Sequence, residues 1–379
     1  MNFKALSIAA LAAFTLASPA VAQDTIKLIS TTELSGAGAV SGTNFKQGAE
    51  LAVEHINAKG GILGKKIEFI AYDTKTTPAD SRAAIQRALD EGTYALIGPV
   101  FSGPILATME LAAEAGVTQI VGGEASAITK KGNKSIFRTS LSQADAMPKI
   151  AKFMKEELKA QKVAIIFVNN DFGKGGRDAI KSELEKLGVQ IAADVSTESG
   201  QADFAADALK VKNAGADVVF SYLNEEESAR FLRAAKQQGI TAPLVGETTL
   251  LGQKVIELAG DAANGVKGHV SLSIDAPLPA FQTFAKAYSE KFKSNSDHNG
   301  IKGYTAVYMV KAATEKMGKI DRKGLADALH GMTISPDKEP GILIESTFDA
   351  NGDVDRPSFM GEVINGKQVI NKTLPKLRP

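Results

Sequence analysis

Two α/β domains, each a parallel sheet flanked by helices, are predicted by three features of the sequence. At about 150 residues per domain, the 379 residues leave room for two hydrophobic cores. Strand-like and helix-like segments alternate with short links through most of the chain, the rhythm of parallel sheets covered on both faces. No low-complexity linker separates the halves, so the domains are expected to share several chain crossings rather than one tether.

The elements follow in order. Ile26 to Ser30 is a short apolar strand. Between Asn44 and Lys59, Phe45, Ala49, Ala52, Val53 and Ile56 share one helical face, and Gly60-Gly61 ends the helix. Ile67, Phe69 and Ala71 alternate with Lys66, Glu68 and Tyr72 as a strand. Thr77-Pro78 opens a helix that stops at Gly92. A strand at 95–97, a helix at 103–115 and a strand at 117–121 complete the first block. The second block runs helix 145–160, strand 163–168, helix 173–187, strand 189–195, helix 202–214, strand 217–221 and helix 226–238. A strand at Leu244-Val245 and a short helix close it. After Gly265 the rhythm changes. A strand at 266–272 precedes three successive helices (278–292, 303–317, 322–330), then strands at 343–348 and 359–364 joined by a turn at 349–353.

Composition excludes several functions. Lys plus Arg total 44 against 43 Asp plus Glu, a net charge of +1, so the basic footprint that nucleic acid requires is missing. A chain that is 44% hydrophobic and 23% charged is neither disordered, collagen-like nor an integral membrane protein. Cysteine is absent, which removes disulfides, thiolate zinc sites, cysteine nucleophiles and cysteine-linked lipid anchors. Residues 1–22 read as a cleavable signal peptide: Lys4, an uncharged apolar run over 5–17, then Ala20-Val21-Ala22 before Gln23. The run is shorter than the roughly 20 residues of a membrane anchor. A soluble chain released into the periplasm is therefore expected.

Searches for cofactor and catalytic motifs fail on spacing. After Gly36-Ala37-Gly38 the third glycine is Gly42, one position too late for a dinucleotide fingerprint, and Gly132-Asn133-Lys134-Ser135 lacks the phosphate-loop spacing. His55, His269, His298 and His330 have no metal-ligand spacing. Asp349, Asn351 and Asp353 imitate a calcium loop, but Gly352 stands at position four rather than six and Met360 at twelve. No nucleophile elbow occurs. Neither an enzyme nor a cofactor is expected.

Ligands of open parallel sheets bind beyond the carboxyl ends of the strands. The corresponding segments are 35–41, 101–103 and 122–126 in the first block, and 169–172, 222–225 and 246–249 in the second. Ser102, beside Phe101 and before Gly103-Pro104, either caps its helix or offers its hydroxyl and nearby amides to an anion. Gly122-Gly123 either admits a ligand close to the backbone or makes a tight turn. Phe172 and Tyr222 either form an apolar wall from the opposite domain or pack locally.

In order, and over essentially all of the chain beyond the signal peptide, these segments resemble the periplasmic branched-chain amino-acid-binding proteins of ABC transporters. Those are the Leu/Ile/Val-type, or type I, periplasmic solute-binding proteins. The resemblance is carried by Leu34-Ser35-Gly36, the run from Gly48 through Asn57-Ala58-Lys59-Gly60-Gly61 to Gly64, Tyr72-Asp73 and Leu96-Ile97-Gly98. It continues through Ile128-Thr129, Phe137-Arg138-Thr139, Asp171-Phe172-Gly173 and Phe348-Asp349-Ala350-Asn351-Gly352-Asp353.

The resemblance implies two Rossmann-like lobes joined by a three-crossing hinge, near 139–142, 270–273 and 344–347. The N-terminal lobe would hold 23–140 plus 272–345, and the C-terminal lobe 141–271 plus 346–379. Ser102 resembles the serine that binds a ligand carboxylate. Gly123 and Ala125 fall near the positions that help hold carboxylate and amine, with Ser126 or Glu124 as alternatives. Phe172 stands where the family often has tyrosine, Asn224 near another aromatic position, and Ser41 where some members carry tyrosine. The amine-binding glutamate falls at Glu247 or Thr248, and Glu124 and Glu225 are the other acids able to point inward. The family's cysteine pair is missing. The implied ligand is a small carboxylate, a branched-chain or other amino acid; without an inward acid it becomes an aromatic or other organic acid lacking an amine. The implied partner is an inner-membrane ABC permease, or a membrane receptor if the chain is a sensor subunit, and a monomer is expected.

Overall fold

The computed structural model describes residues 25–377, and the signal peptide expected at 1–22 lies outside them. The first lobe is laid down as β1 (Ile26–Thr32), α1 (Ala39–Ala58), β2 (Ile67–Asp73), α2 (Pro78–Asp90) and β3 (Ala95–Ile97). It continues with α3 (Ser102–Glu114), β4 (Thr118–Val121), α4 (Ala127–Lys130) and β5 (Ile136–Arg138). Its five strands form one parallel sheet in the order β2-β1-β3-β4-β5. Local chemistry sets the boundaries. Thr77 accepts the Asp80 amide at 3.1 Å and Pro78 occupies the first turn, which starts α2.

The second lobe follows: α5 (Gln143–Glu156), β6 (Lys162–Val168), α6 (Asp171–Lys186), β7 (Gln190–Thr197) and α7 (Ala205–Asn213). Then come β8 (Val218–Tyr222), α8 (Glu225–Gln238), β9 (Leu244–Gly246), α9 (Gln253–Ala259) and β10 (Lys267–Val270). The chain returns to the first lobe with α10 (Pro279–Phe292), α11 (His298–Met317), α12 (Leu325–Leu329), β11 (Thr333–Ile334), β12 (Ser346–Phe348) and β13 (Val354–Asp355). It finishes in the second with β14 (Ser358–Ile364) and β15 (Lys367–Leu374). The second sheet has seven strands, β15-β14-β10-β9-β8-β6-β7, parallel except where the β14–β15 hairpin joins at the edge. Two α/β lobes are what the alternation of the sequence predicts, and the three-crossing hinge is what the family resemblance implies.

Two details differ from expectation. Residues 346–355 were expected with the C-terminal lobe, yet they pair with β11 in a small antiparallel sheet on the first. The cause is Arg138, fully buried, which holds Asp353 at 2.6 Å while its own amide donates to the Gly352 carbonyl. The third crossing therefore falls between β13 and β14 and not near 344–347. Second, α11 begins at His298, five residues before the expected 303. Asp297 caps it by accepting the Asn299 and Gly300 amides at 2.8 and 3.3 Å.

Helix α11 is buried on nearly every face of its first four turns, so it carries no apolar stripe from which a boundary is read. It crosses α1 at very short range. A Cβ on Gly48 would stand 1.9 Å from the Gly300 carbonyl oxygen, and one on Gly303 the same distance from that of Phe45. Glycine is needed at this crossing, and the crossing delivers the α11 N-terminus to the cleft between the lobes.

Candidate functional site: a polar cavity between the lobes

The walls of the cleft are built from strand ends and helix starts. In the first lobe, the chain leaving β3 passes through Val100 and Phe101, whose amides donate to the buried Glu33 carboxylate at 3.1 and 2.9 Å. This braces the segment that ends in Ser102. The chain leaving β4 passes through Gly122, Gly123 and Glu124, and Arg138 donates to the carbonyls of Gly123 and Ala125 at 3.2 Å each. From the second lobe come Phe172 on α6, Asn224 and Glu225 at the start of α8, and Thr249 after β9. Helix α11 adds His298, Asn299 and Lys302. Together these residues line a small cavity of about 30 Å³ that opens to solvent.

The lobes touch across it. Asn299 Nδ2 of α11 donates to Glu225 Oε1 at 3.0 Å, and the Tyr222 hydroxyl of β8 lies 3.4 Å from Glu124 Oε2. Phe172 stacks on Tyr222 with ring centroids 4.1 Å apart.

Electrostatics concentrate beneath the cavity. Lys302 Nζ reaches Glu124 Oε1 at 2.9 Å, both side chains nearly fully buried. Burial pushes the Glu124 carboxyl up to about 7, with the neighbouring Glu247 adding to the rise and Lys302 opposing it. Burial raises Glu247 as well, with the Thr248 hydroxyl and the charge of Lys302 opposing the rise. Arg356, fully buried in the third crossing, is pulled down to about 9 by burial while Glu247 and Glu124 hold its charge. Burial lowers His269 to about 3 and holds His298 well below the usual imidazole range. His298 is accordingly neutral at pH 7.

Five of the ten expected site residues line the cavity: Phe101, Ser102, Gly123, Phe172 and Asn224. Ser102 does not cap its own helix, because α3 has Phe101 at its N-cap and no side-chain cap bond. Its hydroxyl instead accepts the Ala125 amide at 3.3 Å. The other five lie outside the lining. Ser41 is buried within α1. Ala125 is turned into the bracing just described, and Ser126 Oγ lies 3.4 Å from Ser142 Oγ in the first crossing. Glu247 is held beneath the cavity by the Thr248 hydroxyl at 2.5 Å and by His269 Nδ1 at 3.3 Å. Thr248 in turn accepts the Ser271 amide at 2.8 Å.

Gly122 and Thr249 fall in the strand-end segments expected to meet a ligand, whereas Val100, His298, Asn299 and Lys302 were not anticipated. For the α11 residues a signal existed: Asp297 followed by the helical sequence is an N-cap pattern. Among the described residues no group of three or more acidic or histidine side chains is arranged for a metal ion, and no helix is long and apolar enough to cross a membrane.

Two α/β lobes hinged about one hydrogen-bonding cavity define a protein that holds a small molecule between its halves. The chain belongs to the periplasmic binding protein family, whose family model matches residues 25–368. It is similar to a leucine-, isoleucine-, valine-, threonine- and alanine-binding protein of Pseudomonas aeruginosa, with 30% identity over 94% of this chain and 93% of that one. Among solved structures it resembles the branched-chain amino acid transporter substrate-binding protein of Streptococcus pneumoniae in complex with isoleucine (TM-score 0.84, 25% identity, 94% of this chain and 100% of that one). It also resembles a solute-binding protein of an ABC transporter from Rhodopseudomonas palustris in complex with p-hydroxybenzoic acid (TM-score 0.82, 25% identity, 93% and 97%).

Proposed function

We propose that the chain is the periplasmic solute-binding component of an ABC importer and that it captures a small carboxylate-bearing ligand by closure of its two lobes. It acts as a carrier and not as an enzyme, and it hands its ligand to an inner-membrane permease. The observation that carries this reading is Ser102. Its hydroxyl sits in the first turn of α3, at the wall of the inter-lobe cavity, and is not consumed by capping that helix. A hydroxyl beside the positive end of a 13-residue helix favours an anion there. The named ligands of the similar proteins, amino acids and p-hydroxybenzoic acid, have a carboxylate in common.

Closure follows from the division of the cavity walls. Ser102 and Gly123 belong to one lobe, Phe172, Asn224 and Glu225 to the other. A ligand touching both sets binds the closed form better than the open form and shifts the population towards it by that difference. Transport is then a matter of presenting a shape, since the ligand raises the population of the closed form.

A thermal-shift panel of amino acids and aromatic carboxylates tests the reading, because a ligand of the native state alone raises Tm. At least one small carboxylate is expected to do so, and Ser102→Ala is expected to shrink that rise. A panel in which no carboxylate shifts Tm contradicts it.

A further inference from the structure

We propose that residues 375–377, which follow β15, form a strap that doubles the third crossing and holds the lobes in the arrangement in which they touch across the cavity. The inference rests on the closure reading above and deepens it, naming a segment outside the cavity that sets the angle between the lobes.

The strap is a product of register. Strands β14 and β15 pair antiparallel, with Met360 opposite Lys372, Phe359 opposite Thr373 and Ser358 opposite Leu374. Carried one step past Ser358, the same register sets Pro357 against Pro375. Proline has no amide hydrogen to give to a ladder, so sheet pairing stops where the chain crosses between the lobes. Two steps further the register sets Asp355 against Leu377, and there the chains meet again: the Leu377 amide donates to Asp355 Oδ1 at 3.1 Å. Leaving the second lobe, the strap therefore runs back beside the crossing and reaches β13 of the first.

It is fastened at a second point on that lobe. Lys376 Nζ donates to the Thr347 hydroxyl at 3.1 Å and pairs with the Glu345 carboxylate. Thr347 belongs to β12 and stands opposite Asp355 in the β12–β13 ladder. An exposed ion pair alone holds little, and Glu345 is exposed. The strap is stronger than that pair because its bonds converge on one ribbon and because Asp355 is only 3% exposed. The crossing itself is anchored to the second lobe, where Lys149 Nζ of α5 donates to the Ser358 hydroxyl at 2.9 Å.

Rotation of the lobes about 355–358 moves β12 and β13 relative to β14 and β15. Hydrogen bonds weaken steeply once their length and angle are lost, so bonds that join the two sides are kept only near one lobe angle. Here they are made while Asn299 reaches Glu225 and Tyr222 reaches Glu124 across the cavity. Strap and cavity contacts favour the same arrangement, and a segment that touches no ligand biases the population of the closed form.

The test exploits the absence of cysteine from the chain. Spin labels on Ala37→Cys and Lys174→Cys, exposed positions on opposite lobes, report lobe separation without background labelling, and small-angle scattering of the unlabelled protein reports the same motion. Wild type is compared with Lys376→Ala and with a chain ended after Leu374. Lys372→Ala is the control, since its ion-pair partner Glu157 lies on the second lobe. Without ligand, both strap variants are expected to show longer label distances and a larger radius of gyration than wild type, and the control to match wild type. For the panel carboxylate that raises Tm most, Kd is expected to weaken about 5-fold or more in the shortened chain, the scale of one net hydrogen bond. Unchanged distances and scattering in the strap variants, even with a lowered Tm, overturn the proposal, as does an unchanged Kd or equal opening in Lys372→Ala. If the shortened chain fails to fold, Lys376→Ala decides. Failure of the closure reading looks different: the labels on wild type then do not move when that carboxylate saturates the protein.

Discussion

Helices α3 and α11 both begin at the same cavity, with contrasting chemistry. The first turn of α3 carries no acidic residue and no side-chain cap; it offers Ser102 and bare backbone amides. The start of α11 is crowded: Asp297 caps it, His298 and Asn299 follow, and Lys302 closes the turn in an ion pair with Glu124. One terminus leaves its donors free and the other is occupied by its own side chains. A helix start is thus a ligand site only where the protein has not already satisfied it.

The contrast is broken most forcefully by Lys302→Met. Removing one partner of a buried ion pair leaves the other uncompensated, and a loss of about 3–5 kcal/mol in unfolding free energy is expected from urea titration. A loss below about 1 kcal/mol would mean that α11 is not tied to Glu124 as described. On the other side, Ser102→Ala should weaken ligand binding by about 1–3 kcal/mol in titration calorimetry, with a stability change of under about 1 kcal/mol. If stability falls while affinity holds, Ser102 is a structural residue and the two helix starts are alike.

A smaller effect sharpens the comparison through pH. Burial, with Glu225 adding to it, raises the Asp297 carboxyl to about 7, and its Oδ2 is buried without a partner. A group whose folded value lies above its unfolded value of about 3.8 stabilises fully below the unfolded value. That stability is lost as pH rises towards 7, by at most about 1.4 kcal/mol per unit. Asp297→Asn keeps an oxygen for the Asn299 and Gly300 amides and should flatten the fall in Tm between pH 4 and 7; an unchanged slope contradicts the assignment. Smallest, and remote from the cavity, Thr77→Ala should cost about 1 kcal/mol for a lost cap on α2 and leave affinity untouched.

The same contrast explains what the sequence made legible. Ser102, Gly123, Phe172 and Asn224 follow strands of a βα repeat, where the rule that ligands sit beyond strand ends applies directly. His298, Asn299 and Lys302 follow a loop after α10, and no strand announces them. The buried surround of α11 also erased the periodicity that marks a helix start, so its expected boundary excluded the residues that reach the cavity. Strand β15 escaped for the opposite reason. It is an edge strand with only Gln368 fully buried, so its side chains show no inward face. The late segment 346–355 was assigned to the wrong lobe because a single side chain, Arg138, decides where it packs. That choice depends on a partner more than 200 residues away in sequence.

The most direct test is a crystal structure of the protein with its tightest small-molecule ligand from the screen. The carboxylate is expected within hydrogen-bond distance of Ser102 Oγ and the 123–124 backbone, with the rest of the ligand against Phe172 and Asn224 of the second lobe. A ligand seated elsewhere, or one whose carboxylate faces α11 while Ser102 touches nothing, contradicts the account.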